Sequence, residues 1–319
     1  MNKKPGKLKK GDKVGIFVPS SPVKESYRRK GLEAIRQLGY EPVEVDDILA
    51  KRDFVAKEPE ASFADLQGFF DNPEIKAVWA ARGGYGAKRL LPFLSGLEIA
   101  EAPMVIGSSD VSYLLWYLLD RFKLVVFYGP MAYSALADDR ANIDNLVRIL
   151  SGDYDGIEVP GSVLKPGKVK GIVTGGCLSN FVSLIGTPYL PQVEERVLLL
   201  EDVGERPYRL DRMIWQIAQA GLFSRIKALL LGQFPGCFKD PEEKENFLQR
   251  MTGYFAGHDI PIIYDLPFGH GENIHTLPLG IQVEIDAPWH GVPIRGSLSK
   301  QDSQVVSTIA GSVIIAGHL

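Results

Sequence analysis

Two adjacent serines and an aspartate, Ser108, Ser109 and Asp110, lie where an apolar run ends. The run Met104 to Gly107 predicts a short buried strand, and the apolar segment 111–119 predicts a helix that begins near Ser109. A hydroxyl on such a turn stands at the carboxyl edge of a sheet, beside helix N–H groups that can stabilise an oxyanion. It is therefore a candidate nucleophile for acyl transfer. Helix capping by the same residues is the simpler alternative, and the second glycine of the G-x-S-x-G hydrolase pattern is absent.

A carboxylate, Glu201, ends a second apolar run, Val197 to Leu200. Acidic residues commonly end a strand as it enters solvent. In a catalytic role, the carboxylate would instead fix the tautomer and orientation of a histidine. The residues alone leave both interpretations open.

His270 is the histidine best placed to act as a general base among the five in the chain. It comes just after the predicted strand 262–266 and has glycine on both sides. His270 and His275 with Glu272 suggest a metal site, but the H-E-x-x-H pattern and a supporting pair of cysteines are absent. We therefore expect neither a metal nor an organic cofactor.

Glycines follow the predicted strand 77–82 as Gly83-Gly84-Tyr85-Gly86. Glycine lets backbone N–H groups approach an anion closely, although a plain turn explains the same residues. The segment matches neither the phosphate-loop pattern nor the dinucleotide pattern, so the sequence gives little support to nucleotide binding.

The elements that must position these residues alternate between strand and helix, from the strand 14–18 to the strand 125–128, with a helix expected between Gly86 and Leu94. This alternation predicts a parallel α/β sheet whose ligands bind at the carboxyl ends of its strands. Gly, Pro and Asp residues then predict a linker over 152–170. We expect an N-terminal domain, 1–151, that carries the nucleophile and a second domain, 171–319, that carries the acid and the base.

The bulk composition excludes several classes of partner. The 319 residues are 45% hydrophobic with a formal net charge of −3, which argues against nucleic acid or an anionic membrane as partner. No apolar run approaches the ~18 residues of a membrane span, and the basic segment 1–13 is not followed by a signal-peptide core. Two cysteines fit reduced thiols, and we expect a cytoplasmic protein.

Short motifs spread in order over about residues 11–285 resemble those of the LD-carboxypeptidase family of serine peptidases, which includes muramoyltetrapeptide carboxypeptidases and microcin C immunity peptidases. The motifs are Gly11-Asp12-x-Val14, Arg82-Gly-Gly-Tyr-Gly86, Gly107-x-Ser-Asp110, Gly175-Gly-x-Leu178, Leu200-Glu-Asp202 with Tyr208-Arg-x-Asp-Arg212, and Gly269-His270 with Leu277-Pro-x-Gly280.

The resemblance implies a Ser-His-Glu triad. Ser109 would be the nucleophile, His270 the general base and then the acid, and Glu201 the residue that orients the imidazole. The backbone N–H groups of Gly84 and Asp110 would form the oxyanion hole.

The resemblance also implies a fold, an assembly and a reaction. The fold would be a flavodoxin-like, class I glutamine amidotransferase-like N-terminal domain with a smaller C-terminal α/β domain, commonly in a homodimer. The reaction would be hydrolysis of the amide before a C-terminal D-amino acid, with D-Ala of a murein L,D-tetrapeptide as the favoured substrate. Arg82 and Arg209 are candidates to bind the substrate carboxylate. The alternatives are an immunity-type peptidase acting on a peptidyl or aminoacyl nucleotide, and a non-catalytic module that binds a ligand.

Overall fold

The computed structural model describes residues 2–154 and 156–288, together with the backbone of residues 310–315. Residues 289–309 and 316–319 of the predicted second domain lie outside the described residues. The α-helices are Glu25–Gln37 (α1), Pro59–Asp71 (α2), Ser112–Phe122 (α3), Ile143–Leu150 (α4), Leu178–Ser183 (α5), Pro207–Gln219 (α6) and Pro241–Tyr254 (α7). The strands are Lys13–Phe17 (β1), Glu41–Glu44 (β2), Ile75–Ala80 (β3), Met104–Gly107 (β4), Val126–Tyr128 (β5), Ile157–Lys165 (β6), Gly167–Cys177 (β7), Arg196–Glu201 (β8), Ala228–Leu231 (β9), Ile262–Tyr264 (β10), Leu277–Leu279 (β11), Gln282–Ala287 (β12) and Ala310–Ile315 (β13).

The first sheet has the strand order β2-β1-β3-β4-β5, with all neighbours parallel. This is the flavodoxin-like order of doubly wound sheets. Strand β11 returns from late in the chain and pairs antiparallel with the outer edge of β5. The predicted N-terminal fold is confirmed.

The strands of this sheet read as apolar runs because they are almost wholly buried. Every residue of β4 and β5 is buried, as are four of the five in β1 and five of the six in β3. Such continuous burial is typical of parallel sheets with both faces covered. The polar turns after β1, β3 and β4 therefore meet at one edge of the sheet, where ligands bind in this class of fold.

The second sheet closes into a barrel with the order β10-β6-β13-β12-β7-β8-β9. Strands β7, β8, β9 and β10 are parallel neighbours, and β6, β12 and β13 join them through antiparallel pairs. Glu201 is the last residue of β8, opposite Cys177 at the end of β7. The second domain thus offers its own carboxyl edge to the site.

Two local predictions are wrong. The segment 152–170, predicted as a linker, contains β6 and the start of β7. Its Pro160 pairs with Ser312 of β13, a partner that local punctuation cannot reveal. The helix expected between Gly86 and Leu94 is instead two 3₁₀ segments, Ala87–Leu90 and Leu94–Gly96, because Pro92 interrupts the helical pattern. The limits of the two domains remain a prediction.

No helix in the described parts of the chain combines the length and the apolar character needed to cross a membrane.

Candidate active site

Ser109 lies on a sharp turn between β4 and α3. It begins a 3₁₀ turn, Ser109–Val111, and has a left-handed backbone with φ of 55°. A non-glycine residue pays roughly 1–3 kcal/mol for such a conformation, which surrounding contacts must offset. Here the Ser109 N–H donates to the hydroxyl of Tyr128 at 3.2 Å, and its carbonyl accepts from Asn180 at 3.1 Å. The turn is therefore held from both domains.

The Asp110 side chain fixes the same turn rather than capping its helix. One carboxylate oxygen accepts from the Ser20 hydroxyl at 2.7 Å and from the Ala87 N–H at 2.8 Å. Asp110 is 3% exposed, and burial raises the pKa of its carboxyl despite these hydrogen bonds. Ser108 makes no side-chain capping bond. The capping interpretation of the Ser-Ser-Asp sequence is not supported, and the aspartate instead ties together the turns that follow β1, β3 and β4.

The residues predicted for an oxyanion hole stand beside Ser109. A Cβ built on Gly83 would lie 3.1 Å from the Ser109 hydroxyl oxygen, so this backbone passes directly over the serine. Gly84 follows with φ of 112°, and its N–H donates to none of the described residues. Asp110 occupies the first turn of the helical segment, where N–H groups have no partner within the helix. Both N–H groups are thus suited to donate hydrogen bonds to a ligand anion.

Glu201 and His270 form a close pair. The imidazole Nδ1 lies 2.7 Å from Glu201 Oε2, and the carboxylate is fully buried while the His270 side chain is 19% exposed. The solvent-exit interpretation of Glu201 is therefore wrong. An ionised carboxylate can only accept hydrogen bonds, so Nδ1 carries the proton and Nε2 is left as a proton acceptor.

The pKa of His270 reflects two opposed effects. Burial alone would lower it, but the charge of Glu201 and its hydrogen bond outweigh burial, and the result is a pKa above the ordinary value of 6.5. Asp202 raises it further, whereas Arg140 opposes the rise. The imidazole is thus a stronger base than a free histidine.

Ser109 and His270 line one cleft of about 550 Å³ between the two domains. The Ser109 hydroxyl makes no hydrogen bond to any described residue, and it is free to meet the imidazole or a substrate. Catalytic hydrogen bonds are often long in free enzymes and tighten once substrate is bound. The structure therefore brings the serine, the histidine and, behind the histidine, the glutamate to one place.

The two predicted substrate-binding arginines have different positions. Arg82 lines the cleft, and it donates to the carbonyls of Pro22 at 3.0 Å and Gly83 at 3.3 Å. Arg209 does not line the cleft itself, but its side chain pairs at 3.4 Å with Glu205, which does. Arg82 is therefore placed to meet a ligand in the cleft, whereas Arg209 borders the cleft only through Glu205, and the substrate-binding role of each arginine stays a prediction.

Three residues of the site were missed by the sequence reasoning. Tyr128 donates to the second oxygen of Glu201 at 2.5 Å, Arg140 donates to the carbonyl of His270 at 2.8 Å, and Asn180 holds the Ser109 carbonyl. Tyr128 reads as the end of a buried strand, and Arg140 and Asn180 belong to none of the motifs named above. Nothing local in the sequence marks them.

The metal alternative has no structural support in the described residues, where no group of three His, Cys, Asp or Glu side chains is arranged to hold an ion. His275 instead bonds to the Asn142 side chain at 2.7 Å.

Two family descriptions match the chain: the LD-carboxypeptidase N-terminal domain over residues 14–129 and the LD-carboxypeptidase C-terminal domain over residues 170–285. A murein tetrapeptide carboxypeptidase of Pseudomonas aeruginosa is 31% identical over 282 residues, covering 84% of this chain and 91% of its own. The chain belongs to the LD-carboxypeptidase family. It is therefore a serine-type carboxypeptidase, and the interpretation as a non-catalytic binding module is not supported.

Further proteins are similar to this chain along most of their length. The microcin C7 self-immunity protein MccF of Escherichia coli is 25% identical over 317 residues, covering 86% of this chain and 91% of its own. Its structure in complex with glutamyl sulfamoyl guanosine matches with a TM-score of 0.79 at 22% identity, over 88% of this chain and 95% of that one. An MccF-like protein from Bacillus anthracis matches with a TM-score of 0.82 at 21% identity, over 98% and 99% of the two chains. These structures show the same fold.

Proposed function

We propose that this LD-carboxypeptidase removes the C-terminal D-alanine from murein L,D-tetrapeptides, with Ser109, His270 and Glu201 as its catalytic triad. One observation carries the proposal: the buried Glu201 carboxylate holds His270 at 2.7 Å in the cleft that Ser109 also lines. The three residues come from separate strand ends, as a triad assembled by the fold requires.

In the proposed mechanism, His270 Nε2 takes the Ser109 hydroxyl proton as the oxygen attacks the carbonyl before the D-amino acid. The imidazolium then gives that proton to the leaving amine, and the peptide stays on Ser109 as an ester. Water, deprotonated by the same imidazole, hydrolyses the ester and restores the serine. Glu201 stabilises each imidazolium that forms.

The groups around the serine support this chemistry. The N–H groups of Gly84 and Asp110 would stabilise the oxyanion of each tetrahedral intermediate. Arg82 keeps part of its guanidinium free, since its Nε and Nη1 donate to backbone carbonyls and its Nη2 donates to none of the described residues. A cation in the cleft that Ser109 also lines suits the carboxylate of the leaving D-amino acid.

Two substrates have to be compared, a murein tetrapeptide and a peptidyl or aminoacyl nucleotide. The Pseudomonas relative is named for murein tetrapeptide, whereas a structure of MccF is in complex with glutamyl sulfamoyl guanosine. The segment 186–208 of this chain is short and offers no added aromatic loop on which a base would stack. This favours the murein peptide.

The experiment is to incubate the purified protein with L-Ala-D-Glu-meso-diaminopimelate-D-Ala and, separately, with glutamyl sulfamoyl adenosine, and to weigh the products. We expect free D-alanine and the tripeptide from the first and little cleavage of the second. Efficient cleavage of the nucleoside with an intact tetrapeptide would reverse the assignment of substrate. If the protein cleaves neither compound, the proposed activity is contradicted.

We also propose a homodimer and a cytoplasmic location, together with an N-terminal domain of residues 1–151 and a second domain that includes β6 as well as 171–319. The two cysteines are buried and unpaired, which fits a reducing compartment. Light scattering on the purified chain tests the dimer directly, because a monomer mass at micromolar concentration would contradict it.

A further inference from the structure

We propose that Tyr128 is a positioning residue that joins the nucleophile turn of the first domain to the acid of the second. The inference rests on the proposed triad. The Tyr128 hydroxyl donates to Glu201 Oε1 at 2.5 Å and accepts from the Ser109 N–H at 3.2 Å. One hydroxyl therefore contacts both the residue that would attack and the residue that orients the base.

The path of the Tyr128 ring shows how the two domains make this contact possible. Tyr128 ends β5 beside Gly107, and its ring is fully buried. The ring passes over Gly176 of β7, where an added Cβ would lie 2.8 Å from ring atom Cε2. Gly176 also has φ of 153°, so a side chain there would be strained as well as crowded. The Gly-Gly motif thus leaves room for a tyrosine from the other domain to reach Glu201.

The hydroxyl completes the hydrogen bonding of a buried charge. Glu201 has no exposed surface, and its two oxygens are taken by Tyr128 and by His270. Loss of one donor would leave a charged oxygen without a partner in a dry environment, which is costly. Burial and the neighbouring carboxylate raise the pKa of Tyr128 well above its usual range, so the phenol remains a donor.

A donor on one carboxylate oxygen changes what the other oxygen does. The Tyr128 hydroxyl draws negative charge toward Oε1, and less remains on Oε2 to stabilise the His270 imidazolium. Removing the hydroxyl should therefore raise the pKa of His270, and strengthening it as a donor should lower that pKa. A residue that only fills space would do neither.

The serine side of the contact has a separate consequence. Ser109 sits in a strained left-handed conformation, and the Tyr128 hydroxyl is the partner of its N–H group. Without that partner the turn loses one of the bonds that define where the hydroxyl points. We therefore expect a fall in kcat with little change in KM, since Tyr128 does not line the cleft.

The test compares Tyr128→Phe with wild type in a full pH profile of kcat, with Tyr254→Phe as a matched control. Tyr254 also donates to a carboxylate, Asp211 at 3.0 Å, but between α6 and α7 and away from the cleft. We expect Tyr128→Phe to lose roughly 10- to 100-fold in kcat, as for one hydrogen bond to a charged group. The acidic limb of its kcat–pH profile should move to higher pH, because the pKa of His270 rises. Tyr254→Phe should have the kcat and the pH profile of wild type.

A second variant keeps the test sharp if Tyr128→Phe folds poorly. Fluorotyrosine placed at position 128 alone keeps the ring and the hydroxyl and is a stronger donor, and it should move the acidic limb to lower pH. If both variants keep the kcat of wild type and the acidic limb of their pH profiles stays at the wild-type pH, the proposed role of Tyr128 is overturned. If wild type itself shows no histidine-like limb, the proposed triad fails instead, so the two failures are distinguishable.

Discussion

Gly269 lies against the carboxylate of Glu201 so closely that a Cβ on the glycine would stand 2.3 Å from Glu201 Oε2. Its φ of 100° is also one that side chains rarely adopt. The glycine before His270 therefore lets the histidine loop pass over the acid. This accounts for the Gly-His motif in physical terms.

Gly269→Ala should reduce kcat by roughly 100-fold or more, because a methyl group would displace the carboxylate that orients His270. Gly257→Ala is the matched control, since Gly257 has φ of 88° but nothing within 4 Å of the added Cβ. Both variants should lose about 1–3 kcal/mol of stability from backbone strain. Thermal unfolding and turnover measured together separate the two effects. Equal kcat in both variants would show that the contact with Glu201 is irrelevant.

The pH dependence of kcat/KM should show an acidic limb above pH 6.5, because His270 must be neutral to accept a proton and its pKa is raised. The raised pKa means that the proton is bound more tightly in the folded protein, so activity is lost as pH falls through that higher value. Glu201→Gln removes the charge, and the limb should then move to lower pH, since burial alone lowers the pKa of His270.

Glu201→Gln should also reduce kcat by roughly 10²- to 10⁴-fold, because the amide no longer enforces the required tautomer. If Glu201→Gln does not shift the pH profile, Glu201 and His270 are not coupled in solution.

Arg82→Ala should raise KM by roughly 10- to 100-fold, the loss expected of a hydrogen-bonded charge at the substrate carboxylate. A tetrapeptide with a C-terminal carboxamide should bind wild type and the variant equally, because it carries no charge for Arg82 to bind. Arg209→Ala is the control, as its exposed side chain lies outside the cleft. A larger effect from Arg209 than from Arg82 would contradict this assignment.

Chelators should leave turnover unchanged, since the proposed mechanism takes its nucleophile, base and oxyanion donors from the chain itself. The measurement is kcat/KM before and after dialysis against EDTA. Activity lost on dialysis and restored by zinc would require a metal step.

The rule that functional side chains follow strands at the carboxyl edge of a sheet marked the candidate site residues, and the family resemblance assigned their roles. Ser109, Glu201 and His270 each stand just past an apolar run, and the structure places them around one cleft. The rule gives no signal for Tyr128, because this last residue of β5 reads as part of the buried apolar strand. Arg140 lies in an irregular loop, and the sequence gives no signal for its role either.

The second domain was harder to predict than the first because its closure depends on distant pairs. Strands β6 and β13 are more than 140 residues apart in sequence, and Pro160 and Gly161 of β6 read locally as turn residues. Parallel strands joined by helices leave a local alternation that can be read. Antiparallel pairing between distant strands leaves no such local pattern in the sequence.

The central claim is that Ser109 carries the acyl group, and a comparison of Ser109→Ala with Ser108→Ala tests it most directly. Ser108 is its buried neighbour, 4% exposed, and is therefore a matched control for the loss of a hydroxyl in the same turn. On murein tetrapeptide, Ser109→Ala should lose roughly 10⁴- to 10⁶-fold in kcat with an unchanged melting temperature, and Ser108→Ala should stay within a few-fold of wild type. Turnover by Ser109→Ala at the level of Ser108→Ala would contradict the account.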